Sequence, residues 1–381
     1  MLEKNRVRLI SGGRPYFDTL HRLISQAQHT LYFQFYIFLD DDTGNEVVHA
    51  LCAAAQRGVA VFLHLDGYAS QSLHRKTVQH LRDQGVKVKW FEPLWRSRRF
   101  YFGRRLHHKV VVADGSYALV GGLNICDRYN DMPNDPAWLD MAIYTEGEAA
   151  HSLESGCIEL WGNRKETTPT PEKTWYSFSE TIPVQERVPV RVIRNDWVKR
   201  RKEIWGAYLY QFNHAEKELT IMCSYFLPGR IFRRKLAQAS KRGVRIRVIL
   251  AGVSDIMVAK HAERYLYRWL LKNNMEVYEY QRTVLHAKVA VADGQWVTVG
   301  SYNVNNISAY ASLEVNLEVE HEAFAKETNK VLDEIILKDC HRITLENYEA
   351  HTGWLKRFWQ RTCYRFINNV LNLFTFYFRQ E

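Results

Sequence analysis

The sequence predicts an α/β protein built from two similar lobes, each a mixed β-sheet flanked by helices. Three observations carry this prediction. Segment 106–115 (LHHKVVVADG) recurs as segment 285–294 (LHAKVAVADG). Strand-like and helix-like stretches alternate in both halves of the chain, and a proline-containing segment separates the halves. We therefore expect one duplicated module, with the active site at the interface of the two lobes.

The separating segment holds the motif Thr-Pro-Thr-Pro and two further prolines, which is typical of a linker. We place this linker at 165–189. The division predicts a first lobe at 1–164, a second lobe at 190–345 and a tail at 346–381.

The first lobe shows the expected alternation near its start. Residues 29–38 predict a strand, residues 45–56 a helix and residues 59–65 a second strand. This order is typical of α/β layering.

Each copy of the repeat predicts a β-hairpin. Lys109–Ala113 and Lys288–Ala292 are apolar and rich in valine, and both runs end in Asp-Gly, the strongest short-range hairpin signal. The return strands, 116–120 and 295–299, lead into Gly121-Gly122 and Gly300-Ser301.

The hairpins carry polar side chains at matching offsets. Residues two apart on a strand share a face, and an asparagine just past the glycines can turn back toward the same point. The matched residues are His107, Lys109 and Asn124 in the first copy and His286, Lys288 and Asn303 in the second. An ammonium, a carboxamide and a nucleophilic imidazole together fit a phosphate group. The repetition favours this interpretation over two solvated surface pairs.

This pattern resembles the signature of the phospholipase D superfamily, His-x-Lys-x4-Asp followed by Gly-Gly/Ser-x-Asn. Both copies are complete, with Asp114 and Asp293 at the aspartate positions, and the resemblance covers roughly residues 5–345. Within the superfamily the sequence is most similar to bacterial cardiolipin synthases of the short type, which lack amino-terminal membrane spans. The second copy departs from the usual pattern at Asn305, Ile307 and Ser312. These positions are expected to shape the substrate pocket, so the departures bear on which substrate binds more than on whether the enzyme is active.

The resemblance implies a two-step displacement at a phosphodiester that needs no metal or other cofactor. One histidine attacks phosphorus, while the other protonates the leaving alcohol and then deprotonates the incoming one. In relatives the amino-terminal histidine is usually the nucleophile, here His107, although the near equivalence of the copies leaves the order open. The implied catalytic set is His107, Lys109, Asp114, His286, Lys288 and Asp293, with Asn124 and Asn303 binding phosphate. We interpret the two aspartates as residues that fix the hairpin turns.

The resemblance also implies one carboxylate in each half that orients a histidine through its far ring nitrogen. The candidates are Asp140, paired with His107, and Glu314, paired with His286, because each pair lies in one half of the chain. A solvated strand-edge carboxylate is the competing interpretation for Glu314.

Composition points to an anionic partner. The 381-residue chain has 52 Lys and Arg against 42 Asp and Glu, a net charge of +10, which suits either a lipid surface or nucleic acid. Six cysteines without metal-ligand spacing indicate a reducing compartment. The sequence shows no signal peptide and no run near the ~20 apolar residues that span a bilayer, so membrane contact is expected to be peripheral.

Two segments are candidates for that contact. Segment 94–105 mixes five arginines with Trp95, Phe100, Tyr101 and Phe102, a composition that suits a lipid interface, a nucleic acid or an ordinary basic loop. Segment 354–379 predicts a basic amphipathic helix. Its apolar face is Leu355, Phe358, Trp359, Phe366, Val370, Phe374 and Tyr377, and its polar face is Arg357, Arg361, Arg365, Asn369 and Asn372. The alternative for this helix is packing on the body or in a dimer.

The combined expectation is a cardiolipin synthase that moves a phosphatidyl group between two phosphatidylglycerol molecules, with phosphatidylethanolamine as an alternative donor. It would act peripherally on the anionic inner membrane of a bacterium, at the cytoplasmic face and without nucleic acid. A phospholipase D, phosphodiesterase or nuclease of the same superfamily is the first alternative, and a non-catalytic protein that binds anionic lipid is the second. The oligomeric state is left open.

Overall fold

In the computed structural model, which describes residues 1–93, 104–162, 165–170, 172–305, 308–309 and 312–375, the chain forms two compact units. Unit 1 contains residues 1–193 together with 299–301 and 313–320, and unit 2 contains residues 194–298, 302–312 and 321–381. Two short segments of the second half therefore belong to the unit formed by the first half.

Strands and helices alternate in the first half, as the sequence predicts. They are β1 (Asn5–Ser11), α1 (Arg14–Gln26), β2 (Thr30–Phe35), α2 (Asp42–Gln56), β3 (Ala60–Asp66), α3 (Arg75–Asp83), β4 (Lys87–Phe91), β5 (Arg105–Leu106), β6 (Lys109–Ala113), β7 (Tyr117–Gly121), β8 (Met141–Gly147), α4 (Glu148–Trp161) and α5 (Glu172–Thr181).

The second half repeats this alternation. Its elements are β9 (Val190–Asp196), β10 (Arg201–Lys202), α6 (Glu203–His214), β11 (Glu218–Cys223), α7 (Arg230–Lys241), β12 (Arg245–Val253), α8 (Met257–Tyr265), α9 (Tyr267–Lys272), β13 (Glu276–Val284), β14 (Lys288–Ala292), β15 (Trp296–Gly300), β16 (Ser312–Glu320), α10 (Glu322–Asp339), β17 (Cys340–Ile343), α11 (Leu345–His351) and α12 (Trp354–Thr375).

Unit 1 is built on a mixed sheet in the order β1-β8-β7-β6-β2-β3-β4. Strands β2, β3 and β4 run parallel, whereas β6 pairs antiparallel with both β2 and β7. Helix α2 begins where the Asp41 carboxylate accepts a hydrogen bond from Gly44 N at 3.0 Å, as expected of a capping residue. The apolar sides of α1 and α2 pack with Phe33, Phe35 and Leu63 in the buried core.

Unit 2 repeats the central part of this arrangement, with neighbouring strands in the order β15-β14-β11-β12-β13-β17. The register is equivalent in the two copies. Lys109 lies opposite Phe35 in the first copy, and Lys288 lies opposite Cys223 in the second. The repeat in the sequence is therefore one structural module formed twice.

Both predicted hairpins are confirmed. Asp114 and Gly115 have φ values of 51° and 55°, and Asp293 and Gly294 have 52° and 64°. Positive φ at two successive residues is what a type I′ hairpin turn requires, and Asp-Gly adopts it most easily.

Each turn aspartate also anchors the segment that precedes the central strand. The Asp114 carboxylate accepts hydrogen bonds from the backbone N–H groups of Gln28, His29 and Thr30, at 2.7–2.9 Å. The Asp293 carboxylate accepts them from residues 216–218 at 2.8–2.9 Å. These contacts match the turn-fixing interpretation of the two aspartates.

The segment predicted as a linker, 165–189, contains helix α5 and lies within unit 1. The Thr170 hydroxyl donates to the buried carboxylate of Glu154 at 2.6 Å, and the Thr30 hydroxyl donates to the same oxygen at 2.9 Å. Because a buried carboxylate is costly without donors, Glu154 ties this segment to the body of unit 1.

The tail helix α12 has two distinct faces. Cys363, Tyr364 and Ile367 pack with Leu227 and α8 in a small apolar cluster of unit 2. The aromatic side of the helix is exposed, with relative exposures of 52–76% for Trp354, Leu355, Phe358, Trp359 and Phe366. Packing on the body is thus confirmed for one face, and membrane contact stays a prediction for the other.

Several sequence predictions fall on residues outside the described part of the chain. They include Trp95, Phe100, Tyr101 and Phe102 of the basic aromatic segment, Ile307 and Tyr377. Within the described ranges, none of the helices combines the length and the apolar character needed to cross a bilayer.

Replacing Asp114 with alanine is expected to lower the free energy of unfolding by about 2–3 kcal/mol, because three backbone donors lose a charged acceptor. Urea denaturation measures the loss, and the exposed Asp18→Ala variant on α1 is the control. Equal stability of the two variants would show that the carboxylate does not hold the turn.

Candidate active site

The first set of motif residues is organised around His107. Its Nδ1 atom lies 2.9 Å from Oε2 of Glu314, and both residues belong to unit 1. A carboxylate can only accept a hydrogen bond, so Nδ1 carries the proton and Nε2 carries the ring lone pair. This tautomer is the one that a nucleophilic or basic histidine requires.

Glu314 is fully buried, and its position is fixed by more than one contact. The Ser301 hydroxyl donates to the same oxygen, Oε2. Burial alone would raise the pKa of this carboxyl group, but electrostatic attraction to His107 and Lys109 and the hydrogen bonds from His107 and Ser301 hold the pKa below its ordinary value. The group is therefore an anion at neutral pH, and its complete burial excludes the interpretation of Glu314 as a solvated edge residue.

The structure corrects the pairing predicted for Glu314. The sequence paired it with His286, the histidine of its own half, but that pairing is wrong, because Glu314 contacts His107 of the other half. The physical reason is the pairing of β5 with β16, in which His107 N donates to Leu313 O at 3.0 Å and brings the neighbouring Glu314 to His107.

Lys109 is buried beside His107. Its Nζ donates to His107 O at 2.9 Å and lies 5.1 Å from the centre of the Tyr36 ring. The same ring packs edge-on against the His107 imidazole, with centroids 4.8 Å apart. Tyr36 thus holds the imidazole and the ammonium on one side of the sheet, and a cation over a ring face is favourable.

Asn124 is buried with both ends of its amide engaged. Its Oδ1 accepts from Ile37 N at 3.1 Å, and its Nδ2 donates to the Tyr129 hydroxyl at 2.9 Å. The backbone donor fixes the orientation of the amide, so the nitrogen end is the donor end. One N–H group of that nitrogen remains for an oxygen ligand.

Asp140 is also completely buried, at the start of β8. Its Oδ1 accepts from Met141 N at 2.8 Å. A Cβ atom placed on Gly122 would come within 2.3 Å of the same oxygen, so only glycine leaves room for this carboxylate. Ser301 occupies the position of Gly122 in the second copy, and its hydroxyl contacts Glu314.

The second motif set lies in unit 2. His286 is buried, and its Nδ1 is 3.0 Å from Nζ of Lys288, which also donates to His286 O. Oδ1 of Asn303 accepts from the Ser224 hydroxyl at 2.7 Å, while Asn303 N donates to Ser308 Oγ at 3.2 Å. In the first set a backbone N–H group contacts the oxygen end of the amide, whereas here the Ser224 hydroxyl does so, and in both sets nitrogen is the donor end.

Sequence reasoning missed the residues that support these sets. Tyr129 and Ser224 hold the two asparagines, and Ser301 holds Glu314. The buried Asp66 accepts from Leu106 N at 2.8 Å and so fixes the backbone next to His107. Of these, Asp66 left a usable signal, because it forms an Asp-Gly pair directly after a predicted strand.

Cys126 lies close to the first motif in the sequence but does not behave as a reactive thiol. Burial raises its pKa to about 11, so the group is a neutral thiol at physiological pH. All six cysteines are free.

Comparison with known proteins agrees with the repeated motif. A family model described as "Cardiolipin synthase, PLD-like domain" matches residues 20–153 and 208–336. Cardiolipin synthase B of Escherichia coli K12 is 32% identical over 359 residues, covering 92% of this chain and 85% of the relative. Cardiolipin synthase 1 of Bacillus cereus is 27% identical over 325 residues, covering 83% and 63%.

Solved structures show the same fold. The crystal structure of phosphatidylserine synthase from Haemophilus influenzae matches with a TM-score of 0.76 at 15% identity, covering 97% of this chain and 94% of that one. Polyphosphate kinase from Porphyromonas gingivalis matches with a TM-score of 0.61, also at 15% identity, covering 96% and 53%. These likenesses concern the fold alone.

Two His-x-Lys hairpins on one duplicated α/β scaffold define a protein of the phospholipase D superfamily. Within it, the chain belongs to the family of phospholipase D-like cardiolipin synthases. It is accordingly an enzyme of the phosphatidyltransferase class, as the sequence predicted.

The buried Glu314 carboxylate predicts a pH dependence of stability. Because its pKa is lower in the folded protein than the ordinary value of 4.5, it contributes stability above pH 4.5 that is lost as the pH falls through the folded pKa. Urea denaturation at several pH values should therefore show a steeper loss below pH 4.5 for the wild type than for Glu314→Gln. Parallel curves would contradict the ionised, histidine-bound state of Glu314.

Proposed function

We propose that this enzyme is a cardiolipin synthase that transfers a phosphatidyl group from one phosphatidylglycerol to a second one and releases glycerol. The observation that carries this proposal is the His107–Glu314 contact beside the buried Lys109, because it prepares an imidazole to attack an anionic phosphodiester. Membership in the cardiolipin synthase family supports the choice of phosphatidylglycerol.

In the first step, Nε2 of His107 attacks phosphorus, and the bond from phosphorus to the glycerol oxygen breaks. His286 gives its proton to the departing glycerol oxygen, so that glycerol leaves as a neutral alcohol. The product of this step is a phosphatidyl group bound to His107 through a P–N bond.

In the second step, His286 takes the proton from a glycerol hydroxyl of another phosphatidylglycerol. The resulting oxygen nucleophile attacks phosphorus, the P–N bond breaks, and cardiolipin leaves with His107 restored. The positive charges of Lys109 and Lys288 and the amide donors of Asn124 and Asn303 balance the charge on the non-bridging phosphate oxygens during both steps.

Glu314 has a positioning role in this scheme. It holds the tautomer of His107 and stabilises the positive charge that the imidazole gains when Nε2 binds phosphorus. The ionised state of Glu314 and its burial favour this role, since an unscreened carboxylate interacts strongly with a neighbouring cation.

Peripheral membrane contact fits the tail helix. The exposed Trp354, Leu355 and Phe358 supply an apolar surface, and Arg361 and Arg365 supply positive charge on the same helix. Aromatic and basic residues together are typical of helices that lie in an anionic lipid interface. We infer that the enzyme meets its lipid substrates at such a surface, at the inner membrane of a bacterium.

The function is tested with purified enzyme and vesicles of phosphatidylglycerol, with lipid products followed by mass spectrometry. Wild type and the exposed control His214→Ala should form cardiolipin and glycerol, whereas His107→Ala and His286→Ala should form neither, because each lacks one of the two proposed catalytic imidazoles. Phosphatidic acid as the sole product would instead indicate a phospholipase. Vesicle binding without any product would indicate a lipid-binding protein, and turnover of nucleic acid alone would indicate a nuclease.

Replacing Glu314 with glutamine is expected to reduce turnover on the order of 10²- to 10⁴-fold, because the neutral amide neither fixes the tautomer nor balances the imidazolium charge. Glu318→Gln is the matched control, since Glu318 is a buried acid on the same strand that pairs with Arg191 instead of a histidine. A loss of only a few fold in Glu314→Gln, or equal losses in both variants, would argue against the positioning role.

A further inference from the structure

The exposed hydrophobic side chains of the protein are concentrated in two segments of unit 2. In the described part of the chain fifteen large hydrophobic side chains are exposed, and nine of them lie in segments 253–258 and 354–366. Single exposed hydrophobic residues are ordinary on a protein surface, whereas a concentration of them indicates a surface that binds a partner. The first segment contributes Val253, Ile256, Met257 and Val258, with relative exposures of 40–60%.

The two segments adjoin each other because α8 and α12 pack side by side. The His261 ring of α8 lies 6.4 Å from the Trp359 ring of α12. One turn further along both helices, the Tyr265 ring lies 4.8 Å from the Tyr364 ring. The contact positions advance together, so the helices run parallel. The first turn of α8 therefore lies beside the first turn of α12.

Val258 lies on the face of α8 that meets α12. It precedes His261 by three residues and Tyr265 by seven, and residues at these spacings share one face of a helix. Ile256 and Met257 come directly before it. The exposed side chains at the start of both helices thus form one surface, which we call the α8–α12 patch. Its members are Val253, Ile256, Met257, Val258, Trp354, Leu355, Phe358 and Trp359.

Segment 253–258 leaves the sheet of unit 2 at the end that holds the second motif. Leu250 of β12 pairs with Cys223 of β11, and Cys223 pairs with Lys288 at the start of β14. Strand β12 ends three residues after Leu250, at Val253, and the segment continues from there. A partner bound by this segment would therefore lie on the side of unit 2 where His286 and Lys288 are found.

Charge indicates that this partner is an anionic bilayer. Helix α12 has four cationic residues and no acidic ones. Aromatic and basic side chains together are typical of proteins that bind an anionic lipid interface. A symmetric contact between two copies of the chain would instead bring the cations of both copies together, which is unfavourable. The cations are Lys356, Arg357, Arg361 and Arg365.

We propose that residues 253–258 are a second lipid-binding element, which enters the interface of an anionic bilayer together with the aromatic face of α12. The inference rests on the proposed function, because lipid substrates are what bring the enzyme to a bilayer. A second contact beside the tail helix restricts rotation of unit 2 about the axis of α12. The bound bilayer then lies on the side of unit 2 that contains the second His-x-Lys motif.

The first test sediments the full-length enzyme with phosphatidylcholine vesicles that contain or lack phosphatidylglycerol. Ile256→Ser/Met257→Ser removes two exposed hydrophobic side chains of the patch without a change of charge. Ile231→Ser/Leu337→Ser is the matched control, because both side chains are exposed in unit 2 outside the patch. We expect the affinity for anionic vesicles to fall about tenfold in the patch variant, because two side chains no longer leave water, and to be unchanged in the control.

The second test separates lipid binding from catalysis. Cardiolipin formation is measured on phosphatidylglycerol vesicles and on short-chain phosphatidylglycerol dispersed below its critical micelle concentration. We expect the patch variant to lose activity on vesicles by a similar factor and to keep wild-type activity on the dispersed lipid. Wild-type binding and activity of this variant on vesicles, or an equal loss of activity on both substrates, would overturn this inference alone. A wild type that forms cardiolipin from neither substrate would instead contradict the proposed function.

The alternative partner, a second copy of the chain, is tested by sedimentation velocity without lipid. A wild-type dimer that Ile256→Ser/Met257→Ser converts to a monomer would assign the patch to a subunit interface and overturn the proposal. Thermal unfolding identifies a variant that fails to fold. In that case the single substitution Met257→Ser, at the most exposed of the four side chains in segment 253–258, takes its place.

Discussion

The hydrogen bond between His107 and the buried carboxylate of Glu314 is the interaction on which the candidate active site depends. A carboxylate with no exposed surface is stable only when nearby donors and cations compensate for its lost hydration, and here His107, Lys109 and Ser301 do so. Glu314 lies in segment 313–320, which belongs to the unit formed by the first half. The chemistry of one histidine is therefore tied to a strand that lies more than two hundred residues away in the sequence.

The duplicated scaffold shows how one framework supports two distinct histidines. In both copies an Asp-Gly turn, anchored by three backbone N–H groups, sets the hairpin that carries the His-x-Lys pair. The positions that follow the two hairpins then differ, because Gly122 leaves space for Asp140 whereas Ser301 donates to Glu314. Equivalent backbone positions in the two copies therefore have different polar neighbours.

Unit 2 carries a second group of buried charges, formed by residues outside its His-x-Lys motif. Lys260, Arg264 and Tyr267 surround Glu279 and hold the carboxylate in its ionised form, with a pKa of about 2 despite burial. Lys260 and Arg264 of this network lie on α8, the helix on which the tail helix packs. The tail is thereby fixed through one face, while its aromatic face stays available to a lipid surface.

The sequence by itself determined the duplicated α/β architecture, the two hairpins and the identity of the His, Lys and Asn residues, because these depend on local turn chemistry and on strand periodicity. It also identified Asp140 and Glu314 as candidates for the carboxylates that orient the histidines. Only the tertiary structure decided that Glu314 contacts His107, that Tyr129 and Ser224 contact the asparagines, and that the tail helix packs through one face. These facts depend on contacts between segments distant in the chain, which no local pattern of residues encodes.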